Sequence, residues 1–378
     1  MPARPQRRCV PRPAWPEPGL HDPNAMTDNL RFPAEWEPQS AILLAWPHAG
    51  TDWADRLGEV EETYIALVAA ITRFQDAWIC VADDDVETYA AARLRSARVD
   101  MERVRFVGFD YDDTWLRDSG PIILQDRNPH GRGAFQVLDF HFTAWGGKFE
   151  AGRDDRLVQA LAAQGVFGDA AHRRIDFALE GGGIETDGAG TLLTTWRCLH
   201  ERHPDASRED IEAVLRAELA QDRVLWLDHG YLEGDDTDAH IDTLARFAPG
   251  DAIVFQACDD PADPHYPELQ AMAAEIAALR TADGRPYRLF PLPWAAPVID
   301  EGRRLAASYA NFLIVNGAVL MPAYGSTPEE GQTDDAAAAV LAEAFPGRQV
   351  VQVPCRPLIW QNGSLHCITM QLPAGVGA

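Results

Sequence analysis

What the chain lacks narrows it first. No Cys-x-x-Cys pair is present: Cys9, Cys80, Cys198, Cys258, Cys355 and Cys367 are dispersed. That is the usage of a reduced, cytoplasmic protein rather than of a disulfide scaffold. No apolar run approaches the roughly 18 residues of a membrane span. Basic residues are scarce, 33 Lys and Arg against 58 Asp and Glu, for a formal net charge of −25. Such a chain offers no electrostatic footprint to a nucleic acid, and its carboxylates serve solubility and draw cations. The first 25 residues hold Pro and Arg but no apolar h-region, so they read neither as a signal peptide nor as foldable material, and Met26 is a candidate start. Residues 1–30 are expected to form a disordered extension, and 31–378 a single catalytic domain.

The rest is ordinary globular composition, 46% hydrophobic and 24% charged, with no linker to divide it. Eleven tryptophans are many, and such rings line pockets as well as cores. Short apolar runs (Ala41 to Trp46, Trp78 to Val81) alternate with helically spaced stretches such as Val60 to Phe74, the pattern of an α/β protein. Further helices are expected over Val86 to Ser96, Asp154 to Gln164, residues 207–220 capped by Ser207, Pro267 to Leu279, and Thr333 to Phe345. In the last, Asp334 and Asp335 would sit near the N-terminus. Strand pairs are expected across Asp187-Gly188, Pro249-Gly250 and Asn316-Gly317, and across a loop containing Gly131 and Gly133.

One unit recurs: polar loop, strand, turn, strand, helix, strand. Its loop residues Asp118, Glu180 and His240 follow at intervals of about sixty residues, and Cys367 comes after about twice that step. The unit with Asn316-Gly317 fills the gap. A repeat this long suggests modules around an axis, which would bring Asp118, Glu180, His240, Asp242 and Cys367 to one central site.

Residues 234–242 put four carboxylates and a histidine within nine positions. On an extended segment His240 and Asp242 would face the same way. Two chemistries use a cysteine, a histidine and carboxylates. Zinc wants closely spaced ligand pairs, and His200 with His203 has no matching second pair, so no metal is expected. Nucleophilic catalysis by a thiolate with a histidine proton carrier fits better. Acyl transfer would call for an oxyanion hole rather than several negative groups. A cationic, planar electrophile such as a guanidinium explains the carboxylates.

Seven motifs then occur in order: Pro33-Ala34-Glu35-Trp36-Glu37-Pro38, Ala45-Trp46-Pro47, Trp115-Leu116-Arg117-Asp118-Ser119-Gly120-Pro121, Leu179-Glu180-Gly181-Gly182-Gly183, Asp236-Thr237-Asp238-Ala239-His240-Ile241-Asp242, Ser308-Tyr309-Ala310-Asn311-Phe312 and Asn362-Gly363-Ser364-Leu365-His366-Cys367-Ile368-Thr369. Over residues 31–373 this set resembles the agmatine deiminase family, which includes bacterial-type peptidylarginine deiminases. The resemblance implies a pentein fold, a five-bladed α/β propeller of pseudo-fivefold ββαβ modules around a central active site, working without a cofactor on a small cationic guanidine. It implies Cys367 as nucleophile, His240 as proton carrier, Asp118 and Asp242 as clamps on the guanidinium, and Glu180 as the group that orients His240. Trp115 would wall the pocket, with Asp236 and Asp238 candidates for the substrate's far end, as is Asp235. Two departures touch that far end: Asp238-Ala239 stands where Asn-Gly is common, and Gln361-Asn362-Gly363-Ser364 replaces a glycine-rich approach. Agmatine is the leading substrate. Peptidyl-arginine or another guanidine is the alternative, and an amidinotransferase-like or inactive guanidine-binding protein comes after that. A peptidylarginine deiminase of this type would carry a secretion signal, which is not apparent. Neither a nucleic acid nor a membrane is expected as partner, and a homo-oligomer, dimer or higher, is allowed.

Overall fold

The computed structural model describes residues 29–127 and 135–377. Cys9, Met26 and the loop with Gly131 and Gly133 lie outside the described residues, as does the expected extension up to residue 28. Leu30–Arg31 already belongs to the fold, as a short strand paired with Gln125 and Asp126.

Five sheets share one topology among the described residues. In each, a strand pairs antiparallel with the next, a helix follows, and a third strand returns parallel to the second. Ile122–Asp126, Phe135–His141 and Ala171–Ala178 make one such unit, and Ile184–Thr186, Thr191–Thr195 and Arg223–Leu227 the next. Ala245–Ala248, Ala252–Gln256 and Arg288–Leu292 follow, then Leu313–Val315, Ala318–Ala323 and Gln349–Pro354. The fifth unit joins the two ends of the fold. Met370–Pro373 lies antiparallel to Gln39–Ala45, which is parallel to Asp76–Val81, and Val104–Gly108 extends that sheet. The expected ββαβ repeat is the observed one.

Burial explains the strand composition. Middle strands are covered on both faces, so Ala41 to Ala45 and Ala252 to Gln256 are buried throughout and read as continuous apolar runs rather than alternating ones. Leu57–Ile71 turns Val60, Tyr64, Leu67, Val68 and Ile71 toward Ile42, Leu44 and Ile79 in the largest core, the helical period at work. No helix among the described residues is long and apolar enough to cross a membrane.

Local expectations fared unevenly. Ser207 and Asp210 form a reciprocal capping box on Arg208–Glu218. The helix expected from Thr333 instead starts at Pro328, where the Thr327 side chain accepts from the Glu330 N–H. Proline suits a first turn because its missing N–H has no partner there anyway. Asp334 is therefore buried within the helix, accepting from the Tyr309 hydroxyl at 2.7 Å. Ser308 to Phe312, expected in a strand, is a loop, and the strand begins at Leu313.

The loops leading into the first strand of each unit meet at the centre, and a buried ionic column crosses beneath them. Arg246, wholly buried, bonds Glu185 Oε2 through Nε and Glu35 Oε2 through Nη2, each at 2.7 Å, and the Phe312 carbonyl through Nη1 at 2.6 Å. Glu35 Oε1 accepts from the Ile314 N–H at 2.7 Å, and His366 Nε2 lies 2.8 Å from Oε2. Burial alone would raise the Glu35 carboxyl, but the charges of Arg246 and His366 bring it well below the usual range. Removing the cation should be costly. Arg246→Met is expected to lower stability by about 3–5 kcal/mol, since it strands two buried carboxylates, read as a lower denaturant midpoint at unchanged slope.

Candidate active site

Cys367 lies in the loop before Met370–Pro373, with its Sγ enclosed. Asn311 Nδ2 donates to Sγ at 3.3 Å, and Asp242 Oδ2 is 3.8 Å away. Asn311 Oδ1 accepts from the His366 N–H at 2.9 Å, which ties two central loops together. Burial, then the negative charges of Asp242 and Asp118, pushes the thiol well above its ordinary range. With no cation beside it, Cys367 is a thiol.

The carboxylates differ in how they are held. Burial raises the Asp242 carboxyl, but a 2.7 Å contact with His366 Nδ1 outweighs this and keeps it ionised. Its other oxygen has no hydrogen-bond partner among the described residues. Asp118 accepts from the Gly182 N–H at 3.0 Å and from Trp145 Nε1 at 2.9 Å. Burial raises it to about 6, against the pull of His240, with Asp242 and Glu180 adding to the rise. The Trp145 ring is aimed inward by a left-handed backbone over Ala144, Trp145, Gly146 and Gly147.

His240 is completely buried between two carboxylates, with Nδ1 3.6 Å from Asp118 Oδ1 and Nε2 3.6 Å from Glu180 Oε2. Burial would lower it, but Asp118 and its other neighbours hold it charged, well above the usual imidazole range. Burial likewise opposes the charge on Glu180, and Arg202 overcomes it through a 2.7 Å bond, bringing the carboxyl down to about 2.

His240 and Asp242 do converge, though not on an extended segment. Ile241–Thr243 is a turn of 3-10 helix. Their meeting point is marked by Gly182: a Cβ there would lie 2.6 Å from His240 Nδ1, 2.7 Å from Asp118 Oδ1 and 3.1 Å from Asp242 Oδ2. No side chain fits, which is the physical reason for glycine after Glu180. Gly363 has a similar reason, since a Cβ would collide with the Trp115 ring.

A cavity of about 460 Å³ opens from this centre, walled by Trp115, Trp145 and Phe149 and reaching Asp118, Asp236 and Cys367. Three loops, those before Ile122–Asp126, Ala245–Ala248 and Met370–Pro373, therefore deliver a thiol, a charged imidazole and two carboxylates to one end of an aromatic cleft.

Over residues 31–373 the sequence matches the Porphyromonas-type peptidyl-arginine deiminases. The chain belongs to that family. Agmatine deiminase of Stutzerimonas stutzeri (strain A1501) is 38% identical, with 92% of this chain and 96% of that one aligned. An agmatine deiminase of C. jejuni, a Cys-to-Ser variant solved with substrate bound, superposes with a TM-score of 0.81 at 32% identity, covering 92% of this chain and 97% of that one. A Porphyromonas gingivalis protein provisionally described as an arginine deiminase gives a TM-score of 0.82 at 43% identity, covering 92% and 99%.

At the rim of this family member, the two aspartates expected to meet substrate part company. Asp236 lines the cavity and accepts from Asn362 Nδ2 at 2.8 Å; burial raises its carboxyl. Asp238 turns away, bound by Arg202 Nη1 at 2.7 Å and Lys148 Nζ at 2.8 Å. Lys148 is the one lysine in the sequence. Asp235 faces its own loop, accepting from the Thr237 and Ala239 N–H groups. Asp238 and Ala239 take φ of 67° and 68°, which accounts for the suitability of Asn-Gly here. For other residues this conformation costs roughly 1–2 kcal/mol each, and the two ion pairs of Asp238 help hold it.

Asn311, His366, Glu35 and Arg117 stood inside the quoted motifs without a role, and the structure gives the first three one. Arg202, Cys198 and Trp145 carry no pattern in the sequence that would single them out. Gly182→Ala is the direct test of the geometry. It should lower turnover by about 100-fold or more, the scale of an ångström-size misplacement, while circular dichroism stays native.

Proposed function

We propose that the protein hydrolyses agmatine to N-carbamoylputrescine and ammonia. The observation that carries this reading is the convergence of His240, Asp118 and Asp242 beside Gly182, with Cys367 Sγ 3.8 Å from Asp242 Oδ2, at the end of an acidic, aromatic cleft. A guanidinium there would donate N–H bonds to Asp118 and to the free oxygen of Asp242. Its positive charge would favour loss of the Cys367 thiol proton to solvent, making the thiolate only when substrate is present. Sulfur then attacks the guanidinium carbon. His240, already charged, gives its proton to the departing ammonia, and the neutral imidazole next takes a proton from water. That water attacks the amidino-thioether, the C–S bond breaks, and Cys367 is restored. Glu180 stays behind His240 to hold and charge it. The reaction as written needs no cofactor.

For the far end of the substrate, charge favours an amine over a carboxylate. Asp52, Asp112, Asp113, Glu150 and Asp236 line the cavity against Arg303, whose guanidinium is bonded to Asn362 Oδ1 at 2.9 Å and to the Trp360 carbonyl. Relatives named as agmatine deiminases agree. Deimination of peptidyl-arginine is the second reading, favoured by the breadth of the cavity and by the family's description.

Ammonia release from agmatine, free arginine and a blocked arginyl peptide, measured side by side, should rank agmatine first. If agmatine is the poorest of the three, the substrate assignment is wrong. The acid limb of kcat/KM should track Asp118. Its ionised form is the competent one, so activity is present above about pH 6 and declines as the pH falls through that value. Asp118→Asn should abolish that limb along with most of the rate.

A further inference from the structure

We propose that Glu180, Cys198 and His240 form a site for a thiophilic divalent cation, zinc by its donor chemistry, and that occupying it switches the enzyme off. Cys198 belongs to the helix Trp196–Arg202 and is fully buried; the reaction gives it no task. Its Sγ, one carboxylate oxygen of Glu180 and one ring nitrogen of His240 all lie within 4.8 Å of one another. Glu180 Oε2 and His240 Nε2 are both buried without a hydrogen-bond partner among the described residues. Two donors of a three-donor set thus face each other at 3.6 Å without a hydrogen bond, which is rare for buried polar atoms.

A Cβ on Gly183 would press on Cys198 Sγ at 3.3 Å and lie 4.0 Å from His240 Nε2, so glycine lets the backbone pass close beside both donors. Thiolate, imidazole and carboxylate are the ligands of zinc. Bond lengths near 2.0–2.3 Å put such donors roughly 3.5 Å apart in a tetrahedron, and the 3.6 Å between Glu180 Oε2 and His240 Nε2 is already that separation. Arg202 stays on Glu180 Oε1, leaving Oε2 for the ion.

Charge is conserved in the exchange. Cys198 enters as a thiol and His240 as an imidazolium; a divalent ion would displace the S–H and Nε2–H protons, which leave to solvent. The buried net charge beside Arg202 is then unchanged, so binding does not carry the full cost of burying a new ion. The consequence for chemistry is direct. With Nε2 on the metal, His240 keeps only Nδ1–H facing Asp118, is no longer an imidazolium, and cannot protonate ammonia. No sequence spacing announces the site, because its donors stand at positions 180, 198 and 240.

Binding is tested without reference to substrate; only the loss of turnover rests on the role proposed for His240. Cobalt(II) is added to the metal-free protein as a coloured stand-in for zinc. One equivalent should give a thiolate-to-cobalt band in the near ultraviolet, in wild type and in Cys367→Ser alike, and no band in Cys198→Ala. Gly183→Ala keeps all three donors but would press on Cys198 Sγ, and should weaken the band while the fold persists. Zinc should inhibit ammonia release reversibly, with chelator restoring it. Cys198→Ala should raise the zinc concentration needed by more than the roughly 10–100-fold lost when only a supporting residue behind a metal ligand is removed. A band that survives Cys198→Ala but vanishes in Cys367→Ser would place the metal on the nucleophile and overturn the proposal. So would the absence of any band in wild type.

Discussion

The contact between Glu35 and Arg246 is the constraint on which the centre of this molecule rests. A buried carboxylate is expensive unless it is paired and fully bonded, and Glu35 meets Arg246, His366 and the Ile314 N–H at once. Each partner comes from a different unit of the fold. His366, held on one side by Glu35, presents its other nitrogen to Asp242 and stands next to Cys367 in the chain. The ionic column thus fixes the orientation of a carboxylate and the backbone beside the Cys367 thiol in one stroke. Such a network contributes less to stability than a well-packed apolar core of the same volume. What it supplies here is position.

Above the column the balance of charge is deliberately incomplete. Asp118 lines the cavity, Asp242 lies beside Cys367, one charged histidine stands between Asp118 and Glu180, and Glu180 already has its own arginine. Asp242 keeps an oxygen without a hydrogen-bond partner among the described residues, and burial, then the charges of Asp242 and Asp118, hold the Cys367 thiol well above its ordinary range. The guanidinium of the proposed substrate would satisfy that oxygen and favour the thiolate by the same electrostatic event.

How far the sequence reaches can be judged from particular residues. Spacing brought Asp118, Glu180, His240 and Cys367 together, because equivalent loops in a repeated ββαβ unit must emerge at the same end. The same logic could not find Arg202 or Cys198, which sit on a helix after a strand, where no repeat position marks them. Glu35 and His366 were visible as motif letters, but a buried ion pair across 331 residues leaves no periodic trace. Helix limits failed where local chemistry is double-edged: the helix expected from Thr333 begins at Pro328, since proline in a capped first turn starts a helix. Asp238 was misplaced for a comparable reason. Acidic residues near a histidine look alike in a string of letters, and only the backbone's left-handed turn decides which faces the cavity and which faces Arg202.

The strand Met370–Pro373 pairs with Gln39–Ala45, so the sheet holding the fold's earliest long strand stays unfinished until its last strand arrives. Cys367 rides on the approach to that strand. Closing the ring of sheets and placing the Cys367 thiol therefore depend on the same strand pairing.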